Sequence, residues 1–116
     1  AGEPPAQAVA MAARANKLHG LHLGDSYTRL GAEDGLVFGS VNHIGMLELV
    51  HLLMCSIQYQ GPVYFDTFPL KQDPVREARL NIRVFESLAR RAQEIETTRR
   101  RRGKGEEGGG EEGGGE

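Results

Sequence analysis

The chain has 116 residues, 14 basic and 16 acidic side chains and a formal charge of −2. That length holds one small domain and excludes a complete eightfold barrel enzyme of roughly 250 residues. Residues 99–116 carry five basic and five acidic groups, so residues 1–98 are balanced too and offer no electrostatic footprint for nucleic acid or an anionic membrane.

The only cysteine, Cys55, allows no internal disulfide and no thiolate cluster. Its place in an apolar run predicts a buried thiol. Gly45, Glu48 and His51 interrupt that run, so it is not a membrane span. No signal-peptide pattern stands at the amino end, and a reducing cytoplasm is the expected location.

Pro4-Pro5 followed by AQAVAMAARANK predicts a helix over 4–17, because proline suits a first turn and alanine its continuation. LHGLHLG at 18–24 predicts a strand. His19, Leu21 and Leu23 face a helix layer, while Gly20, His22 and Gly24 form the other face. The glycines leave space into which the His22 imidazole projects. Residues 25–42 are longer than an ordinary strand-to-helix connection, which favours a functional loop. Ser40 or Asn42 can cap the following helix, IGMLELVHLLMCSIQ, which is apolar on more than one side and expected to be heavily buried. Gln60-Gly61-Pro62 stops it and introduces a strand at 63–66, with Val63 and Phe65 on one face and Tyr64 and Asp66 on the other.

The last element is a helix over 74–95. Asp73 is its N-cap, Pro74 its first residue and Glu77 an acid suited to the positive end of the dipole. Val75, Ala78, Ile82, Phe85, Ala89 and Ala92 recur at helical spacing and predict the packed face, with fraying near Glu96–Thr98. Residues 99–116, an arginine cluster followed by glycine and glutamate, have nothing apolar to bury and are expected to be disordered. A helix separates the two strands, so the fold class is α/β with parallel pairing and flanking helices.

Functional side chains gather at the carboxyl ends of parallel strands, and His22 and Asp66 occupy two such ends. An imidazole nitrogen and a carboxylate oxygen suit Mn²⁺, Mg²⁺ or Co²⁺. The competing reading is a satisfied buried histidine and a helix-capping acid. Glu33 and Asp34 lie near the same rim, facing water or reaching a second cation. Phe68 and Pro69 can wall a small pocket. Tyr64 is expected to pack, His51 to contact another helix, and His43 to lie near the start of its helix. HLGDSYTRLG lacks the GxGxxG pattern, and the chain has no GxSxG turn and no HExxH helix, which removes support for nucleotide binding and serine hydrolysis.

HLGDS at 22–26, GSV at 39–41 and YFDTFP at 64–69 resemble the carboxyl-terminal part of xylose-isomerase-like TIM-barrel sugar isomerases and epimerases, closest to the L-rhamnose isomerase-like branch. The resemblance covers about residues 3–95. It implies a partial TIM barrel in which 18–24 and 63–66 are the last two strands, and a cytoplasmic enzyme of carbohydrate metabolism that interconverts aldose and ketose with a divalent metal, Mn²⁺ first and Co²⁺ or Mg²⁺ as alternatives. His22 and Asp66 then match metal ligands. Glu33, Asp34 and Gly35 stand as E-D-G where many members carry D-D-D for a second ion. Gly24 replaces the usual asparagine, and Asn42 the histidine that often follows GSV. Glu3, near the end of the preceding strand, and Phe68 are the candidate substrate contacts.

The family draws further ligands and a base from earlier strands, and the chain begins after them. The resemblance therefore implies a fragment inactive alone, whose parent takes a monosaccharide. The alternative is a non-catalytic domain that completes a barrel with a partner or associates with itself.

Overall fold

The computed structural model describes residues 4–29, 31–70 and 72–108. In order these form α1 (Pro5–Arg14), β1 (Leu21–Leu23), α2 (His43–His51) continued by a π-helical turn (Leu52–Ser56), β2 (Val63–Phe65) and α3 (Pro74–Gly108). No helix among the described residues is long and apolar enough to cross a membrane.

β1 and β2 pair in parallel, with Leu21 opposite Val63, His22 opposite Tyr64 and Leu23 opposite Phe65. Flanking bonds from Leu21 N to Pro62 O (3.1 Å) and Asp66 N to Leu23 O (2.7 Å) extend the ladder. The parallel arrangement and the helix–strand–helix–strand–helix order are those expected from sequence. Among the described residues the sheet stops at two strands, and no closed barrel forms. Closure takes further tilted strands that these residues do not supply.

Alternation is obeyed only where the ladder exists. Leu21 and Leu23 are buried and His22 is exposed, but His19 is exposed rather than helix-packed. It precedes the paired segment, where nothing fixes a strand face. Tyr64 is also exposed instead of packed, because among the described residues no helix layer covers that side of the sheet. Its ring meets the His22 ring edge-on, 5.5 Å between centroids.

The core is built from Leu21, Leu23, Phe38, Met46, Leu49, Val50, Leu53 and Ala92. Phe38, Phe65 and Phe85 bring loop, β2 and α3 together, with ring centroids 5.9–6.2 Å apart, a favourable separation for aromatic pairs. Asn42 is the N-cap of α2: its Oδ1 accepts from Gly45 N at 3.2 Å. The helix ends earlier than expected. After the π turn, Ile57 N donates to Leu52 O, and the chain turns at Gln58 with φ 50°.

α3 starts as predicted, with Asp73 Oδ1 accepting from Val75 N at 3.0 Å. Its packed face differs. Val75, Ala78 and Ile82 are exposed, whereas Glu77, Asn81, Ala92 and Glu96 are buried and Val84, Phe85, Leu88 and Ala89 half-buried. Asn81 explains the rotation. Its Oδ1 accepts from Phe38 N at 2.8 Å, and its Nδ2 donates to Thr67 Oγ1 at 3.2 Å. A polar side chain so matched takes a core position that an apolar pattern assigns to its neighbour Ile82. Nor does α3 fray at Glu96–Thr98; it continues to Gly108. Glu96 pairs there with Arg99 and Arg100 one turn on, and Thr97 Oγ1 donates to Gln93 O at 2.9 Å, local contacts that support a helix without apolar spacing.

Candidate functional site

The strand ends open into a hollow of about 960 Å³, lined among others by His22, Glu33, Asp34, Asp66 and Phe68. Five of the six site residues named from the sequence thus share one rim. The sixth, Glu3, lies outside the described residues.

Two glycines allow the approach. A Cβ on Gly24 would sit 2.8 Å from the Asp66 carbonyl oxygen, so only glycine lets the strand ends come this close. Gly35 has φ +61°, and a Cβ there would collide with the Phe68 ring. Phe68 N donates to Gly35 O at 2.7 Å, stitching the long loop to the segment after β2.

Asp25, not among the site residues expected from sequence, organises the other side. Its backbone pairs with Leu36. Its Oδ1 accepts from Ser26 N at 2.9 Å, and its Oδ2 from Val41 N at 2.9 Å and Asn42 N at 2.8 Å. One carboxylate therefore joins the exit of β1 to the start of α2. The signal was an acid just past a strand and seventeen residues before the helix cap Asn42, too distant for a local cap motif.

Asp34 is similarly engaged. Arg29 donates to both of its oxygens, at 2.8 and 3.1 Å, and Tyr27 N donates at 2.9 Å. Hydrogen bonds from Arg29 and then from the Tyr27 amide hold its carboxyl below the usual range. The bonds that knit the rim therefore consume Asp25 and Asp34 and leave His22, Glu33 and Asp66 out. In chemical terms the mouth is lined by one imidazole and two carboxylates beside the exposed Phe68 ring, but His22, Glu33 and Asp66 do not draw their donor atoms together: among the described residues the trio whose ligand atoms lie within 4.8 Å of one another stands elsewhere.

A second cluster stands beyond the far end of α2. His51, Cys55 and Glu96 each present one ligand atom, all within 4.8 Å of one another, and can hold a divalent metal. His51 Nε2 lies 3.0 Å from Glu96 Oε2, so His51 makes the expected interhelical contact. Cys55 is half-buried rather than enclosed, since the π turn carries it to the rim of the packed layer. Arg100 Nε donates to Glu96 Oε1 at 3.3 Å, and Arg99 stands 3.6 Å from Oε2. The His51 hydrogen bond is the chief cause that lowers the Glu96 pKa; burial opposes it, and the two arginines reinforce it. The spacing of His51 and Cys55, four apart on one helical face, was visible in sequence. Glu96, forty-five residues after His51, was not.

No family model and no curated protein matches the chain.

Proposed function

We propose that the chain is the carboxyl-terminal portion of a divalent-metal-dependent sugar isomerase of the xylose-isomerase-like superfamily, interconverting an aldose and a ketose. The observation that carries this reading is that His22 and Asp66 both line one hollow, at the ends of two parallel strands that pair side by side. The donor chemistry fits the group: an imidazole and a carboxylate, neither tied up by the bonds that knit the rim, suit Mn²⁺, with Co²⁺ and Mg²⁺ as alternatives. When bound, such an ion polarises sugar oxygens and so eases transfer of hydrogen between adjacent carbons.

The residues divide the remaining work. His22 and Asp66 hold the ion. Glu33 is the acid left for a second cation, because Arg29 and Tyr27 occupy Asp34. Phe68, half exposed, gives the sugar an apolar wall, and Asp25 and Asn81 keep the loop in place. A ligand pair of this kind needs the donors and the base that the family carries on earlier strands, so the 116-residue chain alone has no appreciable turnover.

A non-catalytic, barrel-completing or self-associating role is the second reading. Its support is the two-stranded sheet with Tyr64 exposed on one face, together with exposed Val75, Leu80 and Ile82 on α3.

Grafting decides between them. Residues 4–95 replace the last two strand–helix units of a characterised sugar isomerase of this superfamily, and aldose–ketose conversion is followed with Mn²⁺. The expected result is conversion that falls on the order of a hundredfold or more in His22→Ala and Asp66→Asn. A folded graft that converts nothing, or whose conversion ignores both substitutions, contradicts the isomerase reading and leaves the barrel-completing one.

A further inference from the structure

We propose that His51, Cys55 and Glu96 form a zinc site in the helical layer, separate from the strand-end mouth and clamping the end of α2 to α3. This inference does not depend on the isomerase reading. Asn42 and Met46, at the start of α2, line the mouth; His51 closes the helix and Cys55 lies a turn beyond it. The two sites therefore stand at opposite ends of one helix, and no residue serves both.

Geometry comes first. Around a tetrahedral Zn²⁺, nitrogen and oxygen ligands stand about 3.4 Å apart, and a sulfur about 3.6 Å from either, given bond lengths near 2.0–2.3 Å. His51 Nε2 and Glu96 Oε2 are 3.0 Å apart, and all three donor atoms fall within 4.8 Å. Small side-chain adjustments open the first distance and close the others. His51 and Cys55 come from one continuous helical run and Glu96 from α3, which packs against it.

Chemistry comes second. A sulfur, a nitrogen and an oxygen make a borderline set that favours Zn²⁺ over the hard Mn²⁺ and Mg²⁺. The mouth has no thiol, its one sulfur being the thioether of the buried Met46, so one chain sorts two kinds of ion by donor type. Cys55 binds as the thiolate and gives its proton to solvent. Thiolate and Glu96 carboxylate together balance the two charges of the ion. Three protein ligands leave a fourth position for water.

Accessibility and competition come third. The His51 side chain is 25% exposed and Cys55 is half-buried, so an ion reaches them from solvent. Arg99 and Arg100 are the cations that contend for Glu96. Their side chains are 74% and 69% exposed, so both swing into water when the metal takes the carboxylate. The π turn between His51 and Cys55 departs from regular helix, and such departures recur at functional sites.

The test is a Co²⁺ titration of the chelator-stripped 116-residue chain under reducing conditions. One equivalent is expected to raise a thiolate-to-cobalt charge-transfer absorption, which one equivalent of Zn²⁺ then removes. Cys55→Ser abolishes the band. His51→Ala and Glu96→Gln each weaken binding on the order of tenfold or more, and His43→Ala, at the exposed start of α2, leaves it unchanged. Zn²⁺ also raises the thermal midpoint of the native chain but not of Cys55→Ser. Glu96→Gln keeps the shape of the side chain and a partner for His51, so it decides the matter even if His51→Ala unfolds. The proposal is overturned by absence of a thiolate band, by a band indifferent to Glu96→Gln, or by one lost in a folded His43→Ala variant.

Discussion

Asn81 is the position at which a single polar side chain holds the mouth together. It is 1% exposed; it accepts from Phe38 N and donates to Thr67 Oγ1, tying α3 both to the long loop and to the residue after Asp66. Asn81→Leu keeps most of the volume but leaves the buried Phe38 amide without an acceptor. An orphaned buried donor costs about 1–3 kcal/mol and the lost bond to Thr67 about 0.5–1.5 kcal/mol, so the expected destabilisation is about 2–4 kcal/mol. For a domain whose whole stability is roughly 5–15 kcal/mol, that is a large share. Urea unfolding followed by far-ultraviolet circular dichroism reads it as a lower midpoint at unchanged slope. Asn81→Ala should cost at least as much, since it adds a small cavity. If Asn81→Leu unfolds at the native midpoint, the site is held by packing volume and the hydrogen-bond argument fails.

Gly35→Ala should destabilise by about 1–2 kcal/mol from the left-handed backbone alone, and it should also displace the Phe68 ring, seen as shifted aromatic resonances; an unshifted Phe68 would contradict the packing described. Glu96 sets a pH dependence. Its folded pKa is lowered, so its contribution is complete above its unfolded value of about 4.3 and is lost as pH falls from there through the lower folded value. In metal-free buffer the stability gap between the native chain and Glu96→Gln should therefore shrink on acidification from pH 6 to pH 3, and a constant gap would refute the assigned role. Asp25→Ala should release the Val41 and Asn42 amides to faster hydrogen exchange while leaving the Leu21–Val63 ladder protected; unchanged exchange at Val41 would mean that the loop is held by something else.

How much of this was legible depended on how local the determining contact was. The parallel strands, the Asp73 and Asn42 caps and the outward His22 followed from alternation and from side chains that bond within three residues. The packed face of α3 did not, because Asn81 and Glu96 are polar residues satisfied by partners 43 and 45 positions away. Periodicity counts apolar side chains and passes over such matches, so Val75 and Ile82 were expected inside and are exposed. The persistence of α3 beyond Thr98 rests on Glu96 and its arginines, which register as charge rather than as helix.

The candidate site divides in the same way. The strand-end residues were named because parallel topology concentrates chemistry there. The His51–Cys55–Glu96 cluster was missed because one of its three members, Glu96, lies on another helix.

The most direct measurement for the mouth is a Mn²⁺ titration of the isotopically labelled chain, in which paramagnetic broadening marks the residues nearest the ion. Substoichiometric Mn²⁺ is expected to erase the amide signals of Leu23, Gly24 and Asp66 first, and to spare them in a His22→Ala, Asp66→Asn double variant. Broadening that is absent there, or that persists unchanged in the double variant, would contradict the claim that these two side chains share one ion.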